Sequence, residues 1–143
     1  MTTQEQLTQV FNDNFVAYVR SHIAHVNITG RTFHSDHELL GGIYEDLQGQ
    51  IDMIGELLRS LDEMMPASIS EIVTGSEIPD VPITGSADVL LKDVQTDLGD
   101  LKGCYEELIE VATREGHDEI ANYAQDRVLR LAKYLWMLKS TLE

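Results

Sequence analysis

The sequence predicts an all-α fold in which four long helices form a bundle, with one long connection between the second and third helices. Apolar residues recur at intervals of three and four along most of the 143 residues, which is the helical period. No segment carries a convincing two-residue alternation of the strand type. All three prolines, Pro66, Pro79 and Pro82, lie in the segment 66–85, where they interrupt the helical pattern. Connections that are short, long and short in turn are typical of a bundle with a single crossover.

The first two helices precede that connection. The first is predicted over residues 5–28, with Gly30 as its stop. The second is predicted to reach Met65, and either Thr32 or Ser35 is its N-cap, since Ser35 begins a capping-box sequence. A turn this short places the two helices antiparallel and side by side.

The second helix carries two different faces. Its apolar face is predicted to lie in the bundle core and consists of Leu40, Ile43, Leu47, Ile51, Ile54, Leu58 and Leu61. Asp52 and Glu56 lie more than about 100° away from that face, so we expect them outside the core. Gly41, Gly49 and Gly55 fall on or beside the acidic face, where missing side chains let another helix approach.

Two further helices follow the connection. They are predicted over residues 86–113 and 118–142, separated by Gly116. A short helix over residues 68–73 is predicted within the connection itself. The length and the single core favour one bundle domain over residues 1–143.

The chain is strongly acidic. It holds 10 Lys and Arg against 25 Asp and Glu, a formal net charge of −15. The first basic residue is Arg20, so no cationic arm precedes it to neutralise phosphates. We therefore expect attraction for cations and no binding of DNA.

The single cysteine, Cys104, cannot form an internal disulfide, and its helical setting predicts a buried, inert thiol. The chain has no run of about 18 apolar residues and no start of signal-peptide character. We expect a cytoplasmic protein that does not associate with a membrane.

Imidazoles and carboxylates gather around the first turn and along the second helix. Four of the five histidines, His22, His25, His34 and His37, lie within sixteen residues. Imidazole and carboxylate together suit iron, zinc or manganese. Taken alone, each pair is as readily explained by solvation or helix capping, and their shared face favours a metal site.

The spacing of these groups predicts a site shared between chains. His37 and Asp52 are fifteen residues apart on one helix, which is roughly 22 Å at about 1.5 Å per residue. No single ion bridges that distance, yet His37, Asp52 and Glu56 point to the same side. A second copy of the helix, antiparallel across a two-fold axis, would place His37 opposite the acids of its partner. The sequence has no Glu-x-x-His motif, which argues against a di-iron site inside one bundle.

The segment from His25 to Glu56 resembles the Dps family, the mini-ferritins of the ferritin-like superfamily named as DNA-binding proteins from starved cells. The matching positions are His25, Gly30, Phe33, His37, Glu38, Tyr44, Glu45, Asp52 and Glu56. Pro66, Ser68 and Glu71 resemble the start of that family's crossover helix, and Trp136-Met137-Leu138 resembles the end of its last helix.

The resemblance implies a ferritin-like bundle assembled as a hollow shell of twelve subunits. It implies a ferroxidase that takes Fe(II) as substrate, oxidises it with hydrogen peroxide or O2, and stores Fe(III) mineral, which protects against oxidative damage. Carried over by position, the resemblance implies that His25 and His37 of one subunit would bind the iron together with Asp52 and Glu56 of its two-fold partner.

Two positions depart from the family pattern. Gly41 stands where the family usually has an acid, one turn after His37, and Val26 stands where it usually has Trp. Glu45, one turn after Gly41, and His34, one turn before His37, are the candidates to replace the missing acid. The second iron is therefore expected to bind less well than the first.

The family's iron-entry pore implies acids near the start of the last helix. Asp118 matches one such position, while Asn122 replaces an acid at another. Glu115, Glu119 or Asp126 would then share the task of concentrating cations. Favourable interaction with the helix dipole explains acids at this end equally well.

Four functions are consistent with the sequence. The leading one is an iron-oxidising and iron-storing cage. Its rival is a cage of the same fold with impaired oxidation, serving as a metal buffer or a structural shell because of Gly41. Compaction of DNA is disfavoured by the charge, and a helical adaptor without metal is the fourth.

Overall fold

The computed structural model describes the whole chain, Met1 to Glu143, and contains five α-helices and no strand. The helices are α1 (Thr3–Asn27), α2 (Phe33–Ser60), α3 (Ile69–Gly75), α4 (Ala87–Arg114) and α5 (Asp118–Leu142). α1 packs against α2 and α4, α4 packs against α5, and the short α3 rests on α1. The predicted all-α bundle with a helix in its crossover is confirmed.

The helix ends follow local capping chemistry. α1 begins with a full capping box between Thr2 and Glu5, and Ser68 and Ser86 cap α3 and α4 through their hydroxyl oxygens. α2 begins after Thr32 rather than after Ser35. The Thr32 hydroxyl donates to the Asp36 carboxylate at 2.8 Å instead of capping the backbone.

α2 ends at Ser60, earlier than the predicted Met65. Asp62 adopts a left-handed conformation with φ of 62°, and the Glu63 N–H donates to the Leu58 carbonyl at 3.0 Å. These are the features of a Schellman closure, which satisfies the last carbonyls and turns the chain away. Because this left-handed position is usually occupied by glycine and here holds an aspartate, the sequence does not predict that the helix ends there.

The apolar face of α2 lies in the bundle core as predicted. Five members of the predicted stripe are fully buried, Leu40, Ile43, Leu47, Ile54 and Leu58, and the remaining two, Ile51 and Leu61, are half-buried. Asp52 and Glu56 are exposed on the other side of the helix. Gly55 lies beside that acidic face as predicted, since it lines the same depression as Asp52 and Glu56, although Met65 and Phe11 bury it.

Buried polar groups tie the long connection to α1. The Arg20 guanidinium donates to the Asp97 carboxylate at 2.7 Å and to the Val81 carbonyl at 2.6 Å. Asp13 accepts hydrogen bonds from the Ser76 hydroxyl at 2.9 Å and from the Glu77 N–H at 2.8 Å. The crossover is therefore held against the bundle by hydrogen bonds to buried side chains.

An ion pair joins α2 to α5 inside the bundle. Arg127 donates to both oxygens of Asp46 at 3.0 Å, and the Tyr134 hydroxyl donates to the same carboxylate at 2.8 Å. This bidentate geometry orients the guanidinium firmly. Because Arg127 is buried, a fixed positive charge lies within the bundle.

Cys104 is buried, as predicted, and burial raises the pKa of its thiol. The Gln6 side-chain amide lies 3.4 Å from its sulfur. None of the five helices combines the length and apolar character that a membrane crossing requires.

Candidate metal centre

A tight turn brings two histidines together. α1 ends at Asn27, Ile28 is buried in the core, and Gly30 takes φ of 123°, a conformation that favours glycine. α2 then returns along α1, so that His25 in the last turn of α1 meets His37 near the start of α2.

The two imidazoles form a reciprocal clasp. Their rings stack with centroids 3.7 Å apart and an interplanar angle of 17°. His25 Nδ1 lies 2.6 Å from the His37 carbonyl oxygen, and His37 Nδ1 lies 2.8 Å from the His25 carbonyl oxygen.

The clasp fixes the tautomer of both rings. A carbonyl oxygen only accepts, so each Nδ1 must carry the proton and donate it. In the neutral ring, the lone pair is then on Nε2. A hydrogen bond of this kind from the second ring nitrogen is what orients histidine ligands in metal proteins. Both imidazoles are therefore prepared to bind a metal through Nε2.

The two stacked rings are poorly arranged to chelate a single ion. An imidazole lone pair lies in the plane of its ring, and these two planes are nearly parallel and 3.7 Å apart between centroids. An ion in the plane of one ring is thus well outside the plane of the other.

Further aromatic rings support the clasp. Phe33 stacks on His37 with centroids 5.0 Å apart, and Tyr44 lies 4.9 Å from the His25 ring. His22 stacks on Tyr44 at 3.9 Å and 3°, so it packs against the tyrosine rather than forming a chelate with His25, whose ring is 6.2 Å away.

Asp52 and Glu56 lie farther along α2 than His37. Both are exposed and line an open depression of about 460 Å³ together with Gln48, Arg59 and Met65. No ion pair of the chain involves either carboxylate. The pair is thus available to a cation or to another chain.

One chain therefore carries an imidazole half-site, defined here as His25 and His37, and a carboxylate half-site, defined as Asp52 and Glu56. The structure brings the two histidines together and keeps both acids apart from them, with roughly 22 Å of helix between His37 and Asp52. Nowhere in the chain do three or more His, Cys, Asp or Glu side chains converge as a possible ion site.

Other polar groups surround the imidazole half-site. An open depression of about 490 Å³ beside it has no apolar lining, and its side chains include His34, Glu38 and Glu45. His34 Nε2 lies 3.1 Å from a Glu38 oxygen, and both side chains are largely exposed. The two candidates for replacing the missing acid thus border the same depression as the clasp.

The two departures from the family pattern have different surroundings. Gly41 is buried directly under the His25 ring. Val26 points away and is 61% exposed. Only position 41 therefore bears on the geometry of the histidines.

The predicted pore residue Asp118 is exposed in the first turn of α5, with Glu119 beside it. Glu115, a candidate to share its role, is engaged elsewhere. Its carboxylate accepts from the Thr3 N–H at 2.6 Å and the Thr3 hydroxyl at 2.5 Å, and these hydrogen bonds lower the pKa of the Glu115 carboxyl. Glu115 joins the end of α4 to the start of α1.

Asp46 gives no local signal in the sequence, because its partners Arg127 and Tyr134 lie more than eighty residues away. Tyr44 matches the family pattern in sequence but has no predicted role at the site. Its spacing of seven residues from His37 places it two turns along the same face, which is the signal that could have linked it to the site.

Comparison with known proteins agrees with this architecture. The family model described as a ferritin-like domain matches residues 4–143. A DNA protection during starvation protein from Helicobacter pylori is 28% identical over 144 residues, which cover 99% of each chain.

Solved structures show the same fold. The structure of Dps from Listeria monocytogenes superposes with a TM-score of 0.94 at 24% identity, covering 99% of this chain and 94% of that one. That of a Vibrio cholerae Dps protein, described as a member of the ferritin-like diiron-carboxylate superfamily, gives 0.93 at 22% identity, covering 99% and 89%. The chain belongs to the ferritin-like family and, within it, to the Dps proteins.

Proposed function

We propose that twelve copies of the chain form a hollow shell that binds Fe(II) between two-fold related subunits, oxidises it and stores the Fe(III) product. His25 and His37 of one subunit would bind iron with Asp52 and Glu56 of the next. The family membership supports iron storage and protection as the general role.

The observation that carries the proposal is the separation of the two half-sites. The imidazoles present Nε2 lone pairs far from Asp52 and Glu56, and these two acids lie exposed farther along α2 with no ion pair. His37 and the two acids lie on α2, and His25 lies beside His37 at the end of α1, so half-sites of complementary chemistry would be completed when two α2 helices run antiparallel across a two-fold axis.

The chemistry follows from the ligands. Carboxylates favour Fe(III) more than neutral imidazoles do, so the acids promote loss of an electron from bound Fe(II). Two Fe(II) ions supply one electron each, hydrogen peroxide takes both with two protons, its O–O bond breaks, and two waters form. Adjacent ions make the two-electron step possible and limit release of hydroxyl radical.

The surface charge suits entry of cations. Acidic groups at the start of α5, including Asp118, would concentrate Fe(II) at a three-fold pore. The same net charge of −15 per chain opposes DNA, so we propose protection through iron chemistry and not through coating of DNA. A cytoplasmic location belongs to the same proposal.

A second candidate is a shell that binds metal but oxidises it slowly. It is favoured by Gly41, which leaves His37 without a carboxylate one turn away. In that case iron would bind at the first position and the second ion would be held weakly.

The test uses the purified assembly, loaded anaerobically with Fe(II) and then given hydrogen peroxide. We expect Glu56→Ala to slow oxidation by at least about tenfold. Mutation of residues that only hydrogen-bond to a metal ligand already produces a loss of this size. Glu110→Ala removes an exposed acid from α4 and is the matched control. Oxidation that is as fast in Glu56→Ala as in Glu110→Ala would show that the site is elsewhere.

Native mass spectrometry of the same samples checks that both variants keep the assembly. Rapid two-iron oxidation in the unmodified protein supports the first candidate. Binding without oxidation supports the second.

A further inference from the structure

Gly41 lies where any side chain would meet a metal-binding ring. A Cβ atom built on Gly41 would be 3.0 Å from His25 Cε1 and 3.2 Å from His25 Nδ1. On the same helix, a Cβ at Gly42 or Gly49 would meet nothing within 4 Å. Of these three glycines in α2, only Gly41 would bring an added Cβ atom close to another side chain.

His25 has little freedom to move aside. Its Nδ1 is held 2.6 Å from the His37 carbonyl oxygen, its ring stacks on His37 at 3.7 Å, and Tyr44 lies 4.9 Å away. A shift of a few tenths of an ångström would lengthen the Nδ1 hydrogen bond and disturb the stack. That bond is also what fixes the tautomer with its lone pair on Nε2.

We propose that Gly41 is a positioning residue for His25, and that its missing side chain is what allows the clasp to form in this chain. The bare Cα is the surface on which the His25 ring lies when both Nδ1 hydrogen bonds form. The clasp forms through contacts within one chain. Its effect on iron binding depends on the proposed function.

The expected effect of Gly41→Asp on the clasp follows from these contacts. From the family pattern alone, Gly41→Asp would restore an acid and improve the second iron position. With His25 in the observed place, an Asp side chain starts from a Cβ that already crowds the ring. Gly41→Asp is therefore expected to disrupt the clasp in this chain.

The decisive experiment compares Gly41→Ala with Gly99→Ala in the metal-free assembly. Alanine improves helix propensity at both positions, and a Cβ at Gly99, on α4, would meet nothing within 4 Å. Magic-angle-spinning NMR of 15N-histidine-labelled protein, in mildly alkaline buffer, reports which ring nitrogen carries the proton. A His25→Gln spectrum assigns the His25 signals.

We expect the Nδ1–H tautomer of His25 in the unmodified protein and in Gly99→Ala, and its loss in Gly41→Ala. An unchanged His25 tautomer in Gly41→Ala overturns the proposal. Because no metal is present, this result stands whether or not the protein oxidises iron.

Titration with Co(II), followed by its visible absorption, measures how the loss of the clasp changes the affinity of the assembly for a divalent metal ion. Gly41→Ala is expected to bind at least about tenfold more weakly than Gly99→Ala, the scale of effects on ligand orientation. Equal affinities overturn the positioning role. Failure of the unmodified protein to oxidise Fe(II) would instead count against the proposed function and leave the tautomer comparison to decide this inference.

Discussion

At the residue scale, some features of the histidine clasp can be predicted from the sequence and others cannot. The spacing of His25 and His37 around Gly30 was enough to place both near one turn. Their stacking and mutual hydrogen bonds were not predictable, because they require the backbone carbonyl of each residue to face the ring of the other. Gly41 looked like a missing ligand until its contact with His25 was known.

Tyr134 provides a residue-scale test of the buried polar network. Burial, together with its hydrogen bond to Asp46, raises the pKa of Tyr134 from 10.0 to about 12. The unfolded chain ionises at the lower value, so it binds fewer protons than the folded chain between the two. The stability contributed by the protonated hydroxyl is present below pH 10.0 and is lost as pH rises towards about 12.

We therefore expect the thermal midpoint to fall with pH over that interval, and to fall less steeply in Tyr134→Phe. Tyr18→Phe, which lies outside the network, is the control and should follow the unmodified protein. Parallel curves for all three proteins would show that Tyr134 does not titrate abnormally. Differential scanning calorimetry at a series of pH values provides the measurement.

At the element scale, the fold was largely predictable and its internal ties were not. Apolar periodicity located all four long helices, and the Pro-rich segment located the crossover with its short helix. The early end of α2 was missed because Asp62 takes a left-handed conformation usually left to glycine. The link between α2 and α5 was missed because Asp46 and Arg127 are far apart in the chain, and pairing at that distance leaves no periodic signal.

That link predicts a large effect from one substitution. Asp46→Ala would leave Arg127 buried without its anion, and breaking a buried pair in this way costs about 3–5 kcal/mol. Asp126→Ala removes an exposed acid from α5 and should change stability by no more than about 0.5 kcal/mol. Urea unfolding followed by circular dichroism compares them. A similar midpoint for both variants would mean that the pair contributes little.

At the scale of the whole molecule, each chain carries two incomplete half-sites of the proposed metal centre. It carries imidazoles at one end of α2 and carboxylates farther along, and no three ligands converge within it. The sequence predicted this division from helix geometry alone, since residues fifteen apart on a straight helix cannot share an ion. What the sequence left out was the orientation of the ligands, which the turn, the clasp and Gly41 supply.

Mixing two inactive variants tests the shared site most directly. His37→Ala removes an imidazole and Glu56→Ala removes a carboxylate, so a shell made of either variant alone should have no intact site. When the two are dissociated, mixed equally and reassembled, a pair containing one of each has one intact site. Random pairing should then restore about a quarter of the sites, because half of the pairs are mixed and each regains one site of two.

The measurement is the initial rate of peroxide-driven Fe(II) oxidation per shell before and after reassembly, with each variant reassembled alone as the control. The account predicts recovery to about a quarter of the unmodified rate in the mixture only. No recovery, in shells that native mass spectrometry shows to contain both variants, would contradict a site shared between subunits.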